Sequence, residues 1–433
     1  MGRKLVAAIA VWIPLLGLGA AGGQGSGRPD PGFGRDGRVL LPARLELSLG
    51  TAVLPDGRIV LAGDRHLLAL LPSGRIDRRF GDGGFVRFAG SPGPAPSSIA
   101  SMAADSQGRV VVAASHTIGL DRAVVLVARY SRSGRLDPGF GGGDGIVVTD
   151  FGLPASKQSP GESAPDTTIQ TFIRSVVVDS RDRIVLSGER AGATYWFKSH
   201  LYGRFETYVG RLTSEGEADR SFSEDGVLTL PGFEEIGDPA VGRGDDLYLS
   251  VGTGAPGALV HLRADGSLDP GFGENGARRI PRRTADHSIV LDGSGNLLLS
   301  VGLRGTGAGT GVERLRPDGS LDRGFGRKGT AIVRRSVFES TVLASDPRGG
   351  VLVAGRLSPD ASRSAGMTLA RLRSDGTLDR RFGRRGVLGI SLERQEADLQ
   401  SVIVSGSKAL LSGLWCHRDR CGTALARIAL GSG

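Results

Sequence analysis

Residues 266–276 read Gly266-Ser267-Leu268-Asp269-Pro270-Gly271-Phe272-Gly273-Glu274-Asn275-Gly276, and the pattern G-x-(Leu/Ile)-D-x-x-F-G-x-x-G returns along the whole chain. Its phenylalanines are Phe33, Phe80, Phe140, Phe222, Phe272, Phe325 and Phe382, spaced by 47, 60, 82, 50, 53 and 57 residues. Recurrence at that period marks a repeat architecture. Two further elements accompany each copy. One is a strand-like run after a turn, as in Asp56 to Gly63. The other is an apolar run ending in a polar turn, as in Leu369 to Gly376. With the run before the D-x-x-G turn and the run after F-G-x-x-G, each unit holds four short strands bounded by Gly, Asp, Asn and Pro.

Four-stranded units at this period predict an all-β fold, a seven-bladed β-propeller of four-stranded blades. The first motif, Asp30 to Leu41, has no preceding strands, and the last strands, Val402 to Leu430, have no F-G motif after them. Joined, they make one blade, so the N-terminal strand completes the C-terminal blade and hides the edges of the array. The expected blades span about 48–88, 97–150, 173–231, 237–281, 287–334, 338–391, and 399–430 with 30–42, in one domain over 24–433.

The motif residues have a structural reading. Asp30, Asp77, Asp137, Asp219, Asp269, Asp322 and Asp379 share one turn position, where Asp can accept a bond from its own backbone two residues on. The Phe is expected to plug the space between neighbouring blades. Features present in all seven units are structural, so function is expected where the symmetry breaks.

The pattern resembles the delta-60 repeat, a bacterial family with the signature L-D-x-x-F-G-x-x-G. The resemblance covers residues 28 to 430. Pro29 and Ala218 stand in place of the Leu, Ser223 in place of a Gly, and Gly142 to Gly145 carries one extra residue. It implies a propeller and an exported or surface location, and no particular activity.

Residues 1–23 read as a secretory signal peptide: Arg3 and Lys4, an apolar run from Leu5 to Leu18, then small residues. An uncleaved membrane anchor is the alternative. No later run is long enough to span a bilayer. An exported protein is expected, extracellular, at the cell surface or periplasmic. The net charge is +9, and five of the 54 basic residues are Lys. Such a surface is either merely solvated or attracts anionic polymers, such as acidic polysaccharide. Arg282-Arg283, Arg334-Arg335, Arg380-Arg381 and Arg384-Arg385 are pairs with no nucleic-acid motif around them, so nucleic acid is not expected as a partner.

Irregular segments fall where propellers place their d-to-a and b-to-c connections: 152–171, 189–207, 356–367 and 414–422. Variable loops on a rigid scaffold are where binding usually lives. The segment from Ala193 to Tyr208 concentrates Tyr195, Trp196, Phe197, His200, Tyr202, Arg204, Phe205 and Tyr208. Tyr195, Trp196, His200, Tyr202, Arg204 and Tyr208 are the candidate ligand-binding residues, because aromatics with Arg suit protein or sugar contacts. The competing reading is a small local core pinning a hairpin to the ring. Cys416 and Cys421, the only cysteines, are expected to form a disulfide in an exported chain. A metal pair with His417 would leave coordination incomplete.

No phosphate loop and no G-x-S-x-G elbow occurs, and the six His are scattered. Turns such as Asp265 to Asp269 loosely resemble the Asp-boxes of sialidases but lack their terminal aromatic. Glu234-Glu235 with Asp238 is the densest carboxylate group on the loop face, with no partner fixed for glycosidase chemistry. The repeated Asp positions could hold Ca²⁺. Neither catalytic residues nor cofactor nor metal site is assigned. The expectation is a monomeric, non-enzymatic binding module that presents one face to a protein, a polysaccharide or another anionic polymer. The alternative is an exported polysaccharide hydrolase or lyase with its site at the central funnel.

Overall fold

The apolar runs of the repeat become strands because aliphatic and β-branched residues there are bounded by Gly and Asp turns. In the computed structural model the described residues are 27–42, 50–63, 65–88, 98–118, 122–152, 170–191, 195–197, 200–202, 205–252, 257–280, 288–303, 309–333, 338–357, 366–391, 396–417 and 420–431. The expected signal peptide and the 153–169 connection lie outside them, as do Arg204, Arg282, Arg283, Arg334 and Arg335.

The fold is a seven-bladed β-propeller of four-stranded antiparallel blades. Strands a to d of blade 1 are Gly50–Val53, Ile59–Ala62, His66–Leu70 and Phe85–Arg87; of blade 2, Ser98–Ala104, Val110–Ile118, Arg122–Tyr130 and Ile146–Thr149. Blade 3 has Gln170–Val178, Ile184–Ala191, Phe205–Leu212 and Val227–Leu230. In blade 4 strand a is split into Glu235–Ile236 and Ala240–Val241, followed by Leu247–Gly252, Gly257–Leu262 and Ala277–Ile280. Blade 5 has Ile289–Leu291, Leu297–Leu303, Gly309–Leu315 and Thr330–Ile332; blade 6 has Phe338–Ser345, Val351–Leu357, Met367–Leu372 and Val387–Ile390. Blade 7 takes a, b and c from Glu396–Ser405, Lys408–His417 and Arg420–Ala429, and strand d from Arg38–Leu41 near the other end of the chain. Arg28–Pro29 extends that pairing. The expected closure is therefore realised. The a-to-b and c-to-d turns share one face of the ring, the turn face. The b-to-c and d-to-a connections share the other, the loop face.

Strands b and c are packed on both sides by neighbouring blades, so they read as unbroken apolar runs. Every residue of Leu247–Gly252 and Gly257–Leu262 is buried. Strand d lies at the rim, and there Val148 and Ile332 are exposed. Near the axis, strand a bulges in blades 2, 3, 6 and 7. Hydroxyls of the preceding blade accept main-chain N–H bonds at such strands: Ile173 N–H donates to Ser115 Oγ at 3.2 Å, and Leu343 N–H to Ser288 Oγ at 3.0 Å. A bulge leaves ladder groups unpaired, and a buried N–H needs a partner.

Each seam between blades is built from the repeat motif. All seven Asp Oδ1 atoms accept the N–H two residues on, at 3.0–3.2 Å. That turn drives the Phe inward, and all seven rings are buried. Phe33 packs with Leu410 and Leu425 of blade 7 and with Ile59 and Leu68 of blade 1, so the plug role is realised. Phe325 lies against Gly376 of the next blade, whose φ is +80°. A Cβ on Gly376 would come within 2.6 Å of Gly326 N and 3.0 Å of the ring, so only glycine fits there. Main-chain bonds also cross the seams, as from Gly273 N–H to Asp318 O at 3.0 Å and from Gly326 N–H to Asp375 O at 2.7 Å.

A guanidinium completes five of the seams. Arg129, Arg211, Arg314, Arg371 and Arg427 occupy the same place in strand c, and each sits over the Phe of its own blade, 4.6–5.9 Å from the ring centroid. Arg129 Nε donates to Asp137 Oδ2 at 2.8 Å, and its Nη1 donates to Ser214 O in blade 3. Arg427 does the same with Asp30 and with Pro72 O of blade 1. At Asp137 burial raises the carboxyl, but the Gly139 N–H and Arg129 outweigh it and hold the group below the ordinary 3.8. Asp30, Asp219 and Asp322 shift in the same direction. A carboxyl that binds its proton less readily folded than unfolded stabilises the fold above its unfolded pKa, near about 4, and loses that contribution as pH falls through its lowered folded value. Thermal melts across pH are therefore expected to drop steeply below about pH 4. A midpoint that stays level down to about pH 2.5 would contradict the seam assignment.

Candidate functional site

The b-to-c hairpins of the loop face differ in reach. In blade 1 the pairing ends at Ala62↔Leu67. In blade 2 it extends to Ile118↔Arg122, and in blade 7 to His417↔Arg420. Cys416 lies directly opposite Cys421 in blade 7, and the two form the expected disulfide. The base of that arm is tied down where Trp415 Nε1–H donates to Leu41 O at 3.1 Å. In blade 3 the pairing runs to Ala191↔Phe205, and a separate two-stranded hairpin follows, Tyr195–Phe197 against His200–Tyr202.

That hairpin holds four of the six candidate binding residues. Tyr195 pairs with Tyr202, Trp196 with Leu201 and Phe197 with His200, and the hairpin belongs to no blade. Tyr208, expected among the binding residues, belongs to the body of blade 3 instead. It lies in strand c opposite Gly188, is fully buried, and donates its hydroxyl to Phe172 O at 3.2 Å. A Cβ on Gly188 would fall 2.7 Å from the Tyr208 hydroxyl, so the missing side chain is what admits the ring. Burial and nearby Glu189 raise its pKa. Tyr208 is a core residue between blades 2 and 3, packed with Phe140 and Ile173.

Glu234, Glu235 and Asp238 are exposed where strand a of blade 4 begins. Among the described residues no three His, Cys, Asp or Glu side chains form a group able to hold a metal ion. No helix among them is long and apolar enough to cross a membrane.

The turn face is less uniform than its short turns suggest. Sequence reasoning treated the arginines there as bulk charge and missed their pairing. The spacing Arg-x₇-Asp, seen in Arg129/Asp137, Arg211/Asp219, Arg314/Asp322 and Arg371/Asp379, was the available signal. Blade 1 has Ala69 at the arginine position, and Arg58 from the a-to-b turn replaces it. Its Nη1 lies 3.3 Å from Asp77 Oδ2 and 2.8 Å from Arg132 O of blade 2. Blade 4 has His261. The ring stacks on Tyr248 with centroids 4.2 Å apart, and its nitrogens lie 3.1 Å from Asp269 and 3.4 Å from Asp246. Burial, with Asp246 and Asp269 close by, pushes the Tyr248 hydroxyl up to about 12.

No family model matches the chain, and no curated protein matches it. Among solved structures, a protein of unknown function from Dyadobacter fermentans is 12% identical with a TM-score of 0.43, over 93% of this chain and 100% of that one. A gluconolactonase from Xanthomonas campestris is 14% identical with a TM-score of 0.37, over 73% and 86%. A sialidase from Trypanosoma rangeli, in complex with the inhibitor DANA, is 11% identical with a TM-score of 0.43, over 90% and 59%. At these identities and scores no activity carries over from those proteins to this chain.

Proposed function

We propose that the chain is an exported or cell-surface binding module of the delta-60 kind that presents its loop face, centred on the blade 3 hairpin, to a polysaccharide or protein. One observation carries this reading. The hairpin of Tyr195–Phe197 and His200–Tyr202 stands apart from every blade, yet it is the most aromatic stretch of the chain. A propeller needs no such element for closure, whereas aromatic side chains on a rigid base supply contact area at low entropic cost. The cross-strand disulfide of the blade 7 arm is compatible with an oxidising compartment.

The test replaces residues 192–204 with a short Gly-Ser turn. Strands b and c of blade 3 pair up to Ala191↔Phe205, so the blade itself is retained. Wild type and variant, both folded by circular dichroism, are titrated with cell-wall polymers, neutral glycans and anionic polymers at low and physiological salt. The expected result is saturable binding of one class, weakened at least about tenfold in the variant, as the loss of an aromatic hot spot implies. Equal binding by both proteins at low salt only would mean that the basic surface is responsible.

A further inference from the structure

The turn face carries a recess in blade 6 with a physical origin in the repeat. The residue at the entry to strand b is Arg58 in blade 1, Arg109 in blade 2, Arg183 in blade 3, Asp246 in blade 4, Asn296 in blade 5 and Lys408 in blade 7. In the first three blades its guanidinium reaches the motif Asp of its own blade, at 3.3 Å from Asp77, 3.4 Å from Asp137 and 3.5 Å from Asp219. In blade 7 Lys408 Nζ lies 2.9 Å from Asp30. Blade 6 has Gly350 there. A Cβ on Gly350 would fall 2.1 Å from Leu372 O, so the backbone path of this blade admits no side chain. In place of the guanidinium that blades 1 to 3 put there, blade 6 has a recess of about 460 Å³, lined by Asp346, Gly350, Arg348, Arg371, Arg373, Arg381 and Asp379, among others.

The charge around the recess is unbalanced. Four arginines and two aspartates are among its lining residues. Asp346 is saturated by Arg371, whose Nε and Nη2 donate to it at 2.5 and 2.8 Å, and Arg371 Nη1 donates to Leu430 O. Asp379 Oδ1 accepts the Arg381 main-chain N–H at 3.2 Å and Arg373 Nη2 at 3.5 Å. Arg348 Nη2 donates to Gly431 O. Arg373 is half exposed, and Arg381 contributes its main chain, not its guanidinium, to Asp379. Their donors are therefore only partly used, while both carboxylates already have arginine partners. Guanidinium forks match carboxylate, phosphate and sulfate oxygens bidentately. The recess falls within the size range of small-molecule sites.

We propose that the blade 6 recess is an oxyanion-binding site for an acidic monosaccharide unit, with Arg373 and Arg381 as its forks, Arg348 at its rim and Arg371 as the fixed floor. It lies on the face opposite the blade 3 hairpin and does not depend on that hairpin's role. The shared chemistry is a negatively charged group on a sugar-sized body, whether uronate carboxylate, sugar phosphate or sugar sulfate.

The test titrates the full chain by calorimetry with glucuronate, glucose 6-phosphate, glucose 6-sulfate and neutral glucose at physiological ionic strength. Two proteins accompany wild type. One is Arg373→Gln/Arg381→Gln, which changes two side chains at exposed positions. The other is Arg87→Gln, a control that removes one positive charge at an exposed position of strand d in blade 1. The expected result is one-site binding of at least one of the acids and none of glucose. The recess double variant should lose at least about tenfold in affinity, the size expected for removing charge-assisted bonds, and Arg87→Gln should match wild type. The three acids separate carboxylate from phosphate and sulfate as the preferred group. Absence of binding by all three acids would overturn the proposal. So would an affinity unchanged in the recess variant, or reduced equally by Arg87→Gln.

Discussion

A chain lacking residues 27–42 is expected to form no monomeric ring. Those residues supply strand d of blade 7, in register from Arg38↔Ala426 to Leu41↔Thr423, and Arg28–Pro29 pairs with Ile428 and Ala429. They also carry Phe33, buried between blades 7 and 1, and Asp30, the partner of Arg427 and Lys408. Losing a buried Phe costs about 3–5 kcal/mol, and stranding a buried charge costs a similar amount. Together they match much of the whole stability of a typical protein, about 5–15 kcal/mol. The truncation also bares the main-chain edge of Arg420–Ala429, a template for pairing with another copy. Light scattering after size exclusion should show aggregates or exchanged oligomers, and a synthetic 27–42 peptide added during refolding should restore the monomer. A truncated monomer melting within a few degrees of the full chain would show that closure is dispensable.

The second large effect is expected at Arg211. Its side chain is 1% exposed, with Nε 2.6 Å from Asp219 Oδ2, Nη1 donating to Ala264 O of blade 4, and Nη2 donating to Ser221 Oγ. Its guanidinium carbon lies 4.7 Å from the centroid of the Phe222 ring. Arg211→Ala removes all four contacts and leaves Asp219 with no strand c cation. The expected loss is about 3–5 kcal/mol in equilibrium urea unfolding, the range for breaking one side of a buried pair. Arg211→Lys should restore only part of it, because a point charge cannot make the three directed bonds of the fork. Arg174→Ala is the comparison. Arg174 is 58% exposed and pairs with Glu189 at 3.0 Å, so its removal should cost under about 1 kcal/mol. Equal losses at the two sites would mean that the seam arginines are surface charges after all.

The fold was legible because the seam is local in sequence. Asp-x-x-Phe places an Asx turn and a plug within four residues, seven times over, and the pattern needs no long-range information. The guanidinium of the same seam was harder to see. Arg427 serves Asp30 from the far end of the chain, blade 1 uses Arg58, and blade 4 uses His261, so the register of Arg-x₇-Asp is interrupted in three of seven units. Tyr208 was misplaced for a related reason. Its burial depends on Gly188 across the strand pair, a relation set by register and not by neighbours in sequence. The blade 6 recess is a clear case of broken symmetry between blades, and it coincides with the glycine at position 350, which composition alone cannot distinguish from the other 69.

The strand exchange in blade 7 also dictates an order of events during biosynthesis. Residues 38–41 leave the ribosome long before residues 423–426, with six blades made in between. Until the last strand emerges, the first has no ladder to join, and Phe33 has only the blade 1 half of its cavity. Domains made at about 5–20 residues per second leave such a segment waiting for tens of seconds. The early strand of this chain must therefore stay unpaired and soluble through that interval. Its charges at Arg28, Asp30, Arg35, Asp36 and Arg38, with three glycines among them, suit a segment that has to wait.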